Sequence, residues 1–307
     1  MTNNDNSKKN INWLKEEAYL KGNILNRSSL MDILNKYRKE ILKNEVDLSL
    51  TSFRNLLVIK LKLFIELKIL HKDKVVKRLV PTYTDVSPLE IALSLATKKA
   101  HLSHLSALYV NGLTNLTPKS IYINEEQTPK KTDPKNSILT QKKIDLAFSR
   151  PVRATTNKAS FIYKNISYSV TILNGKYTNY AGVKTYENEM FSKRIRASSA
   201  ERALIESVVR PSYSGGVKQT LDSFERALNI PISINKLKTL LKKFNYIYPY
   251  NQAIYFYMIH SYYPQDMIDK FTTINKISDL KFYLDHQLIN LKLDKQAMVY
   301  YPDDLLK

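Results

Sequence analysis

Within residues 1–81 the hydrophobic period switches from helical to alternating, and that switch limits what the chain can fold into. "INWLKEEAYLKG" sets Ile11, Leu14 and Ala18 on one helical face and stops at Gly22. "SSLMDILNKYRKEIL" opens on Ser28 or Ser29 as N-cap and repeats Leu30, Ile33, Leu34, Tyr37 and Ile41. A third helix is expected from "SLTSFRNLLVIKLKLFIELKIL", with Thr51 or Ser52 as cap and Phe53, Leu56, Leu57, Leu63, Phe64 and Leu67 at helical intervals. Val58, Leu61 and Ile65 make a second side of it apolar, so its middle belongs in a core. "ILHKDKVVKRLVPTY" then reads as two short β-prone runs around a polar HKDK turn, a basic hairpin.

Three helices followed by a basic hairpin is the order of a winged helix-turn-helix, in which the recognition helix presents its N-terminal side chains to base edges. Thr51, Ser52, Arg54 and Asn55 occupy that position. Arg and Asn suit bidentate contacts with guanine and adenine, and Lys72, Lys74, Lys77 and Arg78 on the hairpin suit phosphates. The same pattern also fits a three-helix interaction module with a solvated basic surface.

The net charge of +20, from 48 Lys+Arg against 28 Asp+Glu, attracts polyanions. Residues 1–80 hold 17 of the basic and 9 of the acidic groups, the highest positive density along the chain. A genome biased toward Lys, Asn, Ile and Tyr would raise the charge without any such function, so its placement carries the argument.

At 307 residues and 43% hydrophobic content the chain can fill two cores. Pro81 and Pro88 bracket "PTYTDVSP", and the boundary is expected between residues 1–84 and 85–307. The second part mixes both periods. "SPLEIALSLATKKAHLSHLSALYVNGLT" reads as two helices ending at Gly112, and "KSIYIN" as a strand. "EEQTPKKTDPKN", residues 125–136, reads as a polar surface loop, and "ISYSVTI" as a half-buried strand with "SFIYKN" as hairpin partner. The expected fold class is α+β: an N-terminal winged helix-turn-helix and a larger mixed domain.

Only six glycines occur in the chain, and two adjoin in "SSAERALIESVVRPSYSGG", residues 198–216. Ser198 with Glu201 fits a capping box, Ala200, Leu204 and Val208 mark a buried face, and Pro211 ends the helix at Arg210. Gly215 and Gly216 then allow a reversal into "VKQTLDSFERAL", with Val217, Leu221, Phe224 and Leu228 on one side. A phosphate cradle would need the lysine-serine ending of a P-loop or GxGxxG spacing, and neither is present. Arg202 and Arg210 have no role in that packing and are candidates to face a partner.

Three blocks, "HLSHLSALYVNGLTNLTPKSIYI", "LNGKYTNYAGVKTY" and "RASSAERALIESVVRPSYSGGVKQTL", behind the basic N-terminal segment, resemble the AbiEi family of antitoxins and transcriptional regulators of type IV toxin–antitoxin systems. They span about residues 85–230. The family often has His where Asn111 stands here, and Cys or Asp within the segment "IES" at 205–207. The resemblance implies a cytoplasmic phage-defence protein that binds its own promoter or operator DNA through the N-terminal domain. It implies that the C-terminal domain opposes a nucleotidyltransferase-like toxin, with or without a stable complex.

Catalysis finds no supporting pattern. Zero cysteines exclude thiol chemistry and Cys-based zinc sites. His101 and His104, three apart, lack an HExxH context and fit packing or capping roles, so no metal and no cofactor is expected. Glu66-Leu67-Lys68 is a nuclease-like ExK without an evident upstream Asp, and Asp303-Asp304 sits at the chain's end. There is no GxSxG elbow. The N-terminus lacks the apolar run of a signal peptide and no stretch reaches about 18 uncharged apolar residues, so no membrane partner is expected. "NYIYPYNQAIYFYMIHSYYP" offers tyrosines either as an aromatic interaction surface or as core filler, and the core is the simpler reading.

Overall fold

The computed structural model describes residues 2–129, 138–273 and 277–306, with side chains from residue 8 onward. Along the chain run α1 (Thr2–Leu20), α2 (Arg27–Glu40), α3 (Leu50–Asn55) with a π-helical continuation (Leu56–Lys60), β1 (Phe64–His71), β2 (Lys74–Pro81) and α4 (Pro88–Leu93). Then follow β3 (His101–Leu102), α5 (His104–Val110), β4 (Ser120–Glu126), α6 (Gln141–Phe148), β5 (Lys158–Tyr163), β6 (Ile166–Gly175), β7 (Val183–Tyr186) and β8 (Ile195–Ser198). The remainder is α7 (Ala200–Val209), a 3-10 turn (Pro211–Tyr213), α8 (Gly216–Ala227), α9 (Ile234–Phe244), α10 (Tyr250–His260), α11 (Gln265–Thr272), β9 (Phe282–Tyr283), β10 (Leu291–Asp294) and β11 (Val299–Pro302). Helices and mainly antiparallel strands are mixed, in keeping with the α+β class. Two compact units result. The first holds residues 1–98, 156–171 and 185–195; the second holds 99–155, 172–184 and 196–307. The first therefore runs past residue 84 and takes in two later segments.

In the first unit α1, α2 and α3 close a core of Leu14, Leu25, Leu30, Ile33, Leu34, Phe53, Leu57 and Phe64. Trp13, Tyr37 and Phe53 pack in tilted pairs, with centroids 5.7 and 5.3 Å apart. Asn26, not Ser28 or Ser29, caps α2: its side chain accepts from the Ser29 amide at 2.9 Å, and the Ser29 hydroxyl accepts from the Asn26 amide at 2.8 Å. Ser49, not Thr51 or Ser52, caps α3 by accepting from the Ser52 amide at 3.1 Å.

The helix expected to reach Leu67 ends at Lys60, because Lys62 adopts φ +52° and Phe64 and Leu67 lie in β1. Successive strand residues face opposite sides: Phe64 is buried on one face at the start of β1, Leu67 and Ile69 on the other, and Lys68 and Leu70 are exposed. Phe64 and Leu67, three apart and buried on opposite faces, imitate helical spacing. β1 and β2 pair from His71↔Lys74 to Phe64↔Pro81. The two turn residues, Lys72 and Asp73, have φ +47° and +62°, a type I′ hairpin turn. On its other edge β1 pairs with β5, which forms the expected hairpin with β6.

The second unit is built around α7, which packs against α5, α8, α9 and α10. Its strands include β4 antiparallel to β3, with β3 parallel to β8, and the chain ends in a small sheet of order β10-β11-β9. The tyrosine-rich segment forms α10, whose Phe256, Tyr257 and Met258 are fully buried, so it fills the core. The loop expected at 125–136 lies mostly outside the described residues, and residues 125 and 126 close β4. The α7 cap is displaced by one residue: Ser199 accepts from the Arg202 amide at 3.5 Å. Gly215 and Gly216 both have φ +92°, and they join α7 to α8 through the 3-10 turn.

Candidate nucleic-acid interface

Each side chain expected to meet DNA lies in the first unit. Thr51 and Ser52 are exposed, and Asn55 is half-buried beside them. Ser52 accepts a hydrogen bond from the Ser49 hydroxyl at 2.9 Å. Arg54 turns away, toward the hairpin, where Nη1 donates to Glu66 Oε2 at 2.6 Å. The Lys77 Nζ lies 2.9 Å from Glu66 Oε1, so one carboxylate holds two cations. The ExK residues thus sit on a strand, and Glu66 is committed to Arg54 and Lys77.

Lys72, Lys74 and Lys77 are exposed on the hairpin. Arg78 is not with them. Its Nε donates to Ser94 Oγ at 3.2 Å and its Nη2 to Ser94 O at 2.9 Å, tying β2 to the end of α4; burial lowers its pKa. Four further lysines, Lys60, Lys62, Lys68 and Lys158, are exposed here and lie outside the set expected from sequence. Lys68 pairs directly with Lys77 across β1 and β2, a like-charge contact that Glu66 offsets. Lys158 arrives through the β1–β5 ladder: its carbonyl accepts from the Lys72 amide at 3.3 Å, and His71 Nε2 lies 2.9 Å from Asn157 Oδ1. No local pattern announces a contact across that separation in sequence. Between residues 48 and 77 the acidic residues are Glu66, already paired, and Asp73 in the turn.

The second unit concentrates charge in its interior. Arg202 is 3% exposed, and its Nε donates to Glu206 Oε1 at 2.7 Å. Its Nη1 donates to Glu126 Oε1 at 3.1 Å, Thr178 Oγ1 at 3.1 Å and Ala181 O at 2.7 Å, and the guanidinium lies 5.3 Å from the Phe244 ring centroid. Arg202 therefore faces no partner; its carboxylates lie inside. Arg210 is half-buried at the end of α7, its amide bonded to Glu206 O at 3.0 Å.

Burial alone would raise the Glu206 pKa, but Arg202 beside it holds it lowered; Thr178 and Arg202 do the same for Glu126. Glu206 also accepts from the Ser198 hydroxyl at 3.0 Å and the His104 amide at 3.1 Å. His101 and His104 do not share a helix face: one lies in β3 and the other opens α5 with φ +49°. Burial pushes them down to about 3 and about 4. Both His101 ring nitrogens lack a hydrogen-bond partner among the described residues. Asn111 donates to Ala107 O at 2.7 Å and Ser198 O at 2.9 Å, which binds α5 to the start of α7.

Among the described residues no group of three or more His, Cys, Asp or Glu is placed to hold a metal ion, and no helix is long and apolar enough to cross a membrane. No family model and no curated protein matches the chain. Among solved structures it is similar to the crystal structure of RV2827C protein from Mycobacterium tuberculosis, at 12% identity and a TM-score of 0.52, over 90% of this chain and 85% of that one. Across most of its length, the chain shares a fold with that protein.

Proposed function

We propose that the chain is an antitoxin and autoregulatory repressor of the AbiEi kind. Residues 1–84 form a winged helix-turn-helix in which α2 and α3 make the helix pair and β1–β2 the wing. Residues 85–98, 156–171 and 185–195, which share the first compact unit, brace that module. Operator DNA lies along α3, read by Thr51, Ser52 and Asn55 and held at its phosphates by Lys72, Lys74 and Lys77. Arg54 and Arg78 support the interface from behind, through Glu66 and Ser94. The observation that carries the reading is the run of exposed lysines from the end of the α3 helix through the hairpin, with Glu66 among them already paired to Arg54 and Lys77. The second unit opposes a nucleotidyltransferase-like toxin in the cytoplasm without catalysis of its own.

The test uses the full chain with Lys72, Lys74 and Lys77 replaced by Ala, expressed from an independent promoter beside the toxin and a promoter reporter. Repression should be lost and cell survival kept. Loss of both by a folded variant would overturn the division of labour and place neutralisation in DNA binding itself.

A further inference from the structure

The helix that carries Thr51, Ser52 and Asn55 continues past its α-helical end as one π-helical turn, in which the Leu61 amide bonds to Leu56 O at 2.8 Å. A π turn places more residues in each revolution than an α turn, so each side chain advances by a smaller angle. In an unbroken α-helix Lys60, seven residues after Phe53, would return to the face of Phe53, which is fully buried. The π turn leaves Lys60 short of that face, and Lys60 is exposed. Ile59, next to it, is 64% exposed. Lys62 follows, also exposed, with φ +52°.

One continuous face therefore presents Thr51, Ser52, Asn55, Ile59 and Lys60. A single exposed isoleucine is ordinary on a protein surface. This one lies between hydrogen-bonding side chains and two cations, and residues 48–65 contain no acid. Polar groups, a bare aliphatic group and terminal lysines are the chemistry that meets base edges, a thymine methyl and a phosphate in the major groove. We propose that the π turn extends the reading face by one turn: Ile59 packs on a thymine C5-methyl and Lys60 holds the neighbouring phosphate. The inference rests on the DNA-binding reading above and names two contacts that reading lacks.

Fluorescence anisotropy of the full chain on its own promoter duplex tests it, with the protected segment first mapped by footprinting. A second duplex carries uracil for every thymine in that segment, which removes only the methyl groups. Ile59→Ala should weaken binding to the thymine duplex about fourfold for each methyl contacted. The unaltered protein should show the same loss on the uracil duplex, while Ile59→Ala should not distinguish the two. Lys60→Ala should weaken binding to both duplexes equally and lower the salt slope by about 0.9. If Ile59→Ala binds like the unaltered chain while Asn55→Ala is weakened, DNA binding stands and the π-turn contact is overturned. If the unaltered chain does not prefer its promoter to a scrambled duplex, the contact falls together with the DNA reading.

Discussion

The two units carry charge in opposite ways. In the first, lysines stand in solvent after α3 and on the β1–β2 hairpin, and of the two acids among them Glu66 is bonded to Arg54 and Lys77 while Asp73 sits in the turn. In the second, Arg202, Glu126 and Glu206 are enclosed, each with its hydrogen-bonding capacity largely met by the others and by Thr178, Ala181, Ser198 and His104. Charge taken from water must be compensated locally, so the buried cluster is scaffold. Uncompensated surface charge costs the fold little and remains available to a polyanion. Mutations in the two clusters should separate stability from binding.

The largest effect is expected at the buried arginine. Arg202→Met leaves Glu126 and Glu206 buried without their cation and should cost about 3–5 kcal/mol in denaturant unfolding. Arg202→Lys should recover only part of it, since an ammonium cannot bridge two carboxylates with the fork of a guanidinium. A loss below about 1 kcal/mol would break the contrast between the units.

Acid should act on the same cluster. His101 and His104 have folded pKa values pushed below the ordinary 6.5, so between that value and about 4 their protons bind only the unfolded chain. Stability is then full above pH 6.5 and falls as pH drops, by about 1.4 kcal/mol per pH unit for each histidine. Glu126 and Glu206, with lowered folded pKa values, add to the loss below the ordinary carboxylate range. From pH 7 to 5 the loss should be on the order of 3 kcal/mol, read from thermal melts. His101→Leu should flatten that dependence at little cost at pH 7, because the ring nitrogens it removes have no partner among the described residues. A steeper acid loss in His101→Leu would contradict the assignment.

Around the start of α7 the effects should be smaller. Ser198→Ala removes a hydrogen bond to the buried Glu206 carboxylate and should cost about 1.5–3 kcal/mol. Ser199→Ala removes the cap and should cost about 1 kcal/mol. Gly216→Ala places a Cβ at φ +92°, where space is open but the backbone is strained, at about 1–2 kcal/mol. Equal costs at Ser198 and Ser199 would return the cap to Ser198.

What was legible in the sequence was local. Leu30, Ile33, Leu34 and Tyr37 announce α2 because a helix surface repeats its own spacing, and β5–β6 announce themselves by alternation across a short turn. β1 reads as helix because Phe64 and Leu67, three apart, are buried on opposite faces of the strand and borrow a helical interval. Arg202 could not be assigned because Glu126 lies 76 residues away in the chain, and an arginine looks solvent-facing until its carboxylate is found. Lys158 reaches the hairpin the same way, through pairing across chain segments. α10 is buried on most of its circumference, from Tyr250 and Gln252 through Met258, so its tyrosines show no periodic signal to separate core from surface.

The central claim, that the exposed lysines of the first unit hold phosphates, is tested most directly by the salt dependence of binding to the chain's own promoter. With Lys72, Lys74 and Lys77 replaced by Ala, the slope of log K against log salt should flatten by about 2.7, about 0.9 for each contact. Unfolding stability should stay within about 0.5 kcal/mol, since all three side chains are exposed. An unchanged slope in a variant of unchanged stability would contradict the account and place the DNA elsewhere on the molecule.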